Sequence, residues 1–212
     1  LSWAMLIVII ISSLLMSTFI ADQARKTLIE KQKNFALLLA ENLNHQIFRR
    51  FTLPTIIGYG RIALRNPTQY ERLEQVVQNT IHGLHVKGLR IYDNKQITSY
   101  STNKDDLGKT SIAGIAAQKD IKQNTYSFEI ESKISSIKAL FMLQLPDDSF
   151  TLRTTYPLRL EGKLGEEPKE LPIMGVLEIT QDITQDYMSV ISFQRLIFVS
   201  IFFSSMFMFI LL

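Results

Sequence analysis

Charge is partitioned along this chain in a way that few folds tolerate. Residues 1–20, LSWAMLIVIIISSLLMSTFI, and residues 196–212, LIFVSIFFSSMFMFILL, hold no Asp, Glu, Lys, Arg or His. Every charged residue lies between Ala21 and Arg195. A helix rises about 1.5 Å per residue, so roughly 20 residues cross the ~30 Å hydrocarbon core of a bilayer. A charge at mid-bilayer costs at least about 2.5 kcal/mol on insertion scales, which explains why a spanning segment excludes them. The reading is two membrane helices, 1–20 and 196–212, enclosing one polar domain, 21–195.

Two other readings compete with this one. Residues 21–24, ADQA, offer small residues where a signal peptide could be cleaved, but the apolar run before them exceeds the ~7–15 residues of a signal core. The run 196–212 could also be a buried core helix, but it is unbroken, Phe-rich and without a polar face, which a membrane span explains better. The chain begins with Leu and stops inside an apolar run, so a longer polypeptide with a further output part is expected.

The central segment is long enough for one domain with a real core. Without cysteine it has neither disulfides nor thiolate metal sites. The net charge of +3 is mild and interleaved, and no Lys/Arg block points to nucleic acid. Residues 21–53 place Leu28, Phe35, Leu39, Leu43 and Ile47 along one helical face, which predicts a long amphipathic helix continuous with the first span. That face suits either the domain core or a twin helix in a homodimer. Pro54 is expected to break the pattern.

A second helix starts near Asn66, where Thr68 and Glu71 have capping-box spacing, and Gly83 is its expected stop. From Leu89 the period becomes two: 89–93 and 96–102 read as strands joined by a turn at Asp93–Lys95. A short helix over 112–120 follows, then strand-like runs at 125–132, 138–145, 149–160 and 173–182. An exposed loop, 161–172, separates the last two. Residues 183–195 form an exit helix into the second apolar run. The order, strand-like runs with helices mostly at one end, gives an α+β domain with an antiparallel sheet.

The stretch GLRIYDNKQITSYSTNKDDLGKT, residues 88–110, carries the most specific signal. A strand ending Ile-x-Asp, a tight turn, a second strand ending Tyr-Ser-Thr and then Asp-Leu-Gly-Lys-Thr resembles the start of the extracytoplasmic PAS-like Cache (PDC) sensor domain. Tyr156–Arg159, a loop and residues 175–184, GVLEITQDIT, look like that family's last two strands and exit. The resemblance covers about residues 30–190. It implies a PAS-like five-stranded antiparallel sheet with a long N-terminal helix, the PAS-like core lying at about 66–184. It implies a periplasmic sensory module of a two-pass inner-membrane receptor, most often a two-component histidine kinase. The same input domain would serve a diguanylate cyclase or a chemoreceptor. A protein that merely docks a partner is the alternative outside the sensor class.

Little in the sequence supports catalysis. Leu107–Ser111 invites a phosphate-loop reading, but Asn103 stands where the pattern requires glycine. His82 and His85 lack two further ligands for zinc, and no nucleophile elbow occurs. Asp105–Asp106 and Asp147–Asp148 lie in turns, where solvation is the default reading. No catalytic residue, metal or cofactor is expected in this segment.

A sensor instead needs a pocket with convergent polar groups. In the resembling family ligands sit against the central sheet, and by order that implies Arg90, Tyr92, Ser99, Ser101, Tyr126, Arg153, Thr155 and Tyr156. Arg153 and Thr155 share a strand face on which a ligand carboxylate could be gripped. Alternatively, Arg153 pairs with an acid on the next strand. Phe128, Ile130, Phe141 and Leu143 are read as core. The expected partners are membrane lipid, a second copy of the chain, and either a small molecule such as a carboxylate or a periplasmic protein.

Overall fold

A computed structural model describes residues 2–110, 125–161 and 172–211. The short helix expected at 112–120 and most of the loop at 161–172 lie outside these residues. Helix α1, Ser2–Ile47, runs without a break from the apolar run into the polar segment. A π-helical turn, Phe48–Thr52, joins it to α2, Leu53–Tyr59. The break expected at Pro54 does not occur: helical backbone runs through it, and the π-helical turn just before it, with the Leu53 N–H on the Phe48 carbonyl, shifts the hydrogen-bond pattern ahead of the proline. The Arg50 carbonyl, four residues earlier, accepts from Arg72 Nε at 3.3 Å. The helix stops at Gly60 instead, whose φ of 72° lies in the left-handed region.

Helix α3, Pro67–Ile81, is capped by Asn66, not by the expected Thr68. Asn66 Oδ1 accepts from the Thr68 N–H at 3.0 Å, and Pro67 fills the first helical position, moving the cap two residues upstream. Gly83, with φ of 77°, follows the helix end as expected. Strands β1, Val86–Tyr92, and β2, Thr98–Ser101, form the hairpin. Asp93 Oδ1 holds its turn, accepting from the Lys95 and Ile97 N–H groups at 2.9 and 2.8 Å. Strands β3, Ser127–Ser132, β4, Phe150–Arg159, and β5, Ile173–Asp182, complete a five-stranded sheet in the order β2-β1-β5-β4-β3. The pairings of β1 with β2 and β5, and of β4 with β5, are antiparallel. The fold is α+β with a long N-terminal helix.

One strand-like run does not pair. Within 138–145, residues Lys138–Phe141 belong to a short helix, α4, Ser136–Phe141, and the chain then turns irregularly. Ser135 caps it through the Lys138 N–H at 3.4 Å, and Ala and Leu favour the helical state. Helix α5, Thr184–Leu211, carries the exit segment and the second apolar run as one element. Among the described residues, two helices are thus long and apolar enough to cross a membrane, by length and composition.

The chain divides into two compact units. One comprises residues 1–32, 132–150 and 183–212; the other comprises 33–131 and 151–182. In the second unit, α1 and α3 cover one face of the sheet. Leu39, Ala40, Leu43, Ile47 and Phe51 meet Leu73, Val77 and Ile81 over Leu89, Ile91, Tyr100, Tyr156, Leu177 and Ile179. The buried stripe of α1 runs through Ala36, Ala40, Leu43 and Ile47, which leaves Phe35, expected on it, exposed. Phe35 lies one residue, about 100° of helix, from Ala36.

In the first unit, Phe150 stacks on Tyr187 with ring centroids 3.9 Å apart. Its backbone N–H reaches Thr184 Oγ1 at 3.1 Å, and its carbonyl accepts from the Ile183 N–H at 3.0 Å.

Candidate functional site

Strand alternation divides the expected site residues between the two sheet faces. Leu89 and Ile91 of β1 point into the helical core, so Arg90 and Tyr92 point the other way. The register pairs Arg90 with Ser101 on β2 and with Glu178 on β5, and Glu178 with Thr155 on β4. Arg153 pairs with Thr180 two positions on. Arg90, Tyr92, Ser99, Ser101, Arg153 and Thr155 therefore share the face opposite the helices.

Tyr156 does not belong with them. It packs in the helical core, and the Arg159 guanidinium lies 5.8 Å from its ring centroid. Its neighbour Thr155 takes the opposite side of the pleat, which is the physical reason the expectation fails. Tyr126 falls outside the group as well. It precedes β3 and meets Phe128 edge-on at 5.6 Å, on the alternate set of positions to Ser127, Glu129 and Glu131.

The face is organised by a residue the sequence reading passed over. Glu178 is only 2% exposed, and its Oε1 accepts from Arg90 Nη1 at 2.7 Å while Oε2 accepts from the Tyr92 hydroxyl at 3.1 Å. Arg90 Nε donates to Asp106 Oδ2 at 2.9 Å, and Lys109 Nζ stands 3.9 Å from the other oxygen of Asp106. Asp106, expected to be solvated in a turn, is buried; the turn Lys104–Asp106 points it inward at Arg90. The available signal was a carboxylate in mid-strand among apolar residues, Val176-Leu177-Glu178-Ile179, which requires a partner when buried. Arg90 loses hydration here, yet its two carboxylate partners more than offset that and raise its pKa.

Arg153 is paired differently. Its Nη1 meets Glu129 at 3.3 Å and its Nη2 meets Glu131 at 2.6 Å, both acids on the neighbouring β3. These two side chains are 56% and 49% exposed, unlike Glu178. Thr155 Oγ1 shares a 2.7 Å hydrogen bond with Ser127 Oγ. Ser101 Oγ accepts from the Asn103 N–H at 3.1 Å, and Ser99 Oγ donates to the Ile97 carbonyl at 3.4 Å. Gly108, in the stretch that invited a phosphate loop, closes a turn instead, its N–H on the Thr98 carbonyl at 2.9 Å. Among the described residues, no group of three His, Asp or Glu stands where it could hold a metal ion.

Burial, reinforced by Glu178, pushes the Tyr92 phenol above its ordinary pKa. Burial does the same to Tyr100 and Tyr156. Above pH ~10 the unfolded chain releases phenolic protons that the folded chain keeps. Stability is therefore full below pH 10 and falls above it, by about 1.4 kcal/mol per pH unit for each tyrosine that stays protonated in the folded chain while the unfolded chain ionises. Stopped-flow absorbance of tyrosinate after a jump to pH 11.5 should show these residues ionising only as fast as the chain unfolds. Ionisation within the mixing time would contradict their burial.

No family model matches the chain, and no curated protein matches it. Among solved structures it is similar to the V. cholerae histidine kinase DctB sensor domain, with a TM-score of 0.44 and 14% sequence identity. The match covers 82% of this chain, which spans 60% of the length of that one.

Proposed function

We propose that this chain is the sensory input region of a two-pass bacterial receptor. In this reading α1 and α5 cross the inner membrane and the sheet domain lies in the periplasm. The observation that carries the reading is where Glu178 sits. It anchors the charged network on β5, and Thr184, the first residue of α5, is only six residues further along. A ligand that favours one arrangement of that network displaces β5, and Ile183 alone separates the strand from the helix. Shifts of 1–2 Å in a helix at a subunit interface are a common switching move. The switched output would be a histidine kinase lying in sequence beyond this segment.

A second copy of the chain completes the proposal. Leu38 of α1 and Leu53, Ile56, Ile57 and Tyr59 of α2 are exposed, with Ile57 at 77%. Such a run of apolar side chains on adjoining helices suits a homodimer.

Arg90 and Arg153 differ in what they can offer a ligand. Arg90 is committed to two buried acids. Arg153 holds half-exposed acids, and surface pairs of that kind are worth only about 0–1 kcal/mol. A ligand carboxylate can replace Glu129 and Glu131 at Arg153 at small cost, with Thr155 and Ser127 beside it. A thermal-shift screen of the detergent-solubilised chain against small carboxylates and amino acids tests this. A ligand at 100 times its Kd should add about 2.7 kcal/mol of stability. The shift should vanish in Arg153→Ala. A shift that survives the substitution moves the site elsewhere, and no shift with any compound favours a domain that docks a protein partner.

A further inference from the structure

Phe141 and Leu143, read from the sequence as core, are 82% and 86% exposed. The segment carrying them is nevertheless held in place. The Lys133 N–H bonds the Ser149 carbonyl at 2.9 Å, closing the excursion at its base, and Ser149 Oγ donates to the Pro146 carbonyl at 2.6 Å. Ala139 is fully buried and Leu145 nearly so. A short helix and the turn after it, fixed at their base, thus present bare apolar side chains.

The surroundings indicate what covers them. Leu140 and Phe141 form one wall of an apolar groove of about 560 Å3 whose other walls include Ile10, Leu14, Phe198 and Phe202. Ile10 and Leu14 lie 12 and 8 residues before Asp22, the first charged residue of the chain. Phe198 and Phe202 lie 3 and 7 residues beyond Arg195, the last. At 1.5 Å per residue these positions are roughly 5–18 Å inside the charge-free runs. Between Glu131 and Asp147 the only charged residues are Lys133 and Lys138, both exposed. Basic residues beside Phe and Leu are the composition of segments that lie 5–10 Å deep in a membrane interface.

We infer that residues 136–145 form a lipid-inserted foot, with Phe141 and Leu143 among the acyl chains of the leaflet on the domain's side. Lys133 and Lys138 meet the anionic headgroups. The inference rests on the two-pass reading proposed above. Five residues beyond the foot, Phe150 stacks on Tyr187, so lipid packing around the foot acts on the first turn of α5.

The chain has no cysteine, so single nitroxide labels can be placed cleanly. Phe141→Cys and Leu143→Cys, both at exposed positions, are compared with Phe202→Cys in the apolar run and Asn94→Cys in the hairpin turn. The full chain is reconstituted in phosphatidylethanolamine–phosphatidylglycerol vesicles, and collision rates with oxygen and with a water-soluble nickel chelate are read by electron paramagnetic resonance. Labels at 141 and 143 should match that at 202, accessible to oxygen and shielded from nickel. Nickel access at 141 and 143 matching that at 94, with 202 shielded, overturns the foot and leaves the spanning helices standing. Nickel access at 202 overturns the two-pass reading itself. Shielding of 141 from both reagents, with spin–spin broadening at full labelling, assigns the face to a second copy of the chain and overturns the lipid contact.

Discussion

Arg90→Ala is expected to lower the melting temperature of the chain by roughly 6–20 °C. Removing one partner of a buried ion pair costs about 3–5 kcal/mol, and each kcal/mol moves a chain of this size by about 2–4 °C. The cost arises on the partner left behind. Glu178, 2% exposed, would keep only the Tyr92 hydroxyl, and buried Asp106 would keep Lys109 at 3.9 Å. Glu178→Gln should cost less, because the amide oxygen can still accept from Arg90 or Tyr92. Arg153→Ala should cost under about 1 kcal/mol, since Glu129 and Glu131 return to water. Circular-dichroism melts of the four proteins in one detergent give the ranking. Equal, small losses for Arg90→Ala and Arg153→Ala would show that the network is no more buried than a surface pair.

The contrast between the two arginines also marks where sequence reasoning reached its limit. Strand-like runs at 89–93, 96–102, 125–132, 149–160 and 173–182 were clear enough to place the hairpin, β3, β4 and β5, and the charge partition placed both apolar helices. Alternation likewise put Arg153 and Thr155 on one face. It could not supply register, and register is what sets Glu178 opposite both Arg90 and Thr155. Nor could it decide the state of 138–145, where Leu, Phe and Met are compatible with strand or helix and Ser135 tips the balance by capping. Tyr156 was lost by counting positions along the chain instead of sides of the pleat. Asp106 was lost because a turn sequence reads the same whether its acid faces water or an arginine.

The β1–β5 seam is set by a residue that has no side chain, and Gly175→Ala should show it. An alanine Cβ at Gly175 would collide with the Tyr92 carbonyl oxygen and lie 3.3 Å from its carbonyl carbon. The obstacle is backbone, which cannot rotate aside as a side-chain tip can, so the strands must part by about an ångström at the end of their pairing. Overpacking of this kind costs about 1–3 kcal/mol and more where backbone must move. We expect about 3 kcal/mol or more, a melting loss of roughly 6–12 °C. Gly88→Ala is the matched control on the neighbouring strand. Its Cβ would meet only Thr102 Oγ1 at 3.9 Å, an ordinary contact, and its effect should stay within about 1 kcal/mol. The site should register the same displacement. Tyr92 carries both the obstructed carbonyl and the hydroxyl bound to Glu178, so Gly175→Ala should loosen that hydrogen bond. Tyrosinate absorbance of the folded variant should then rise at lower pH than in the parent chain. A Gly175→Ala chain that melts with the parent would mean that the strands can separate freely there, and that the seam does not hold Tyr92 against Glu178.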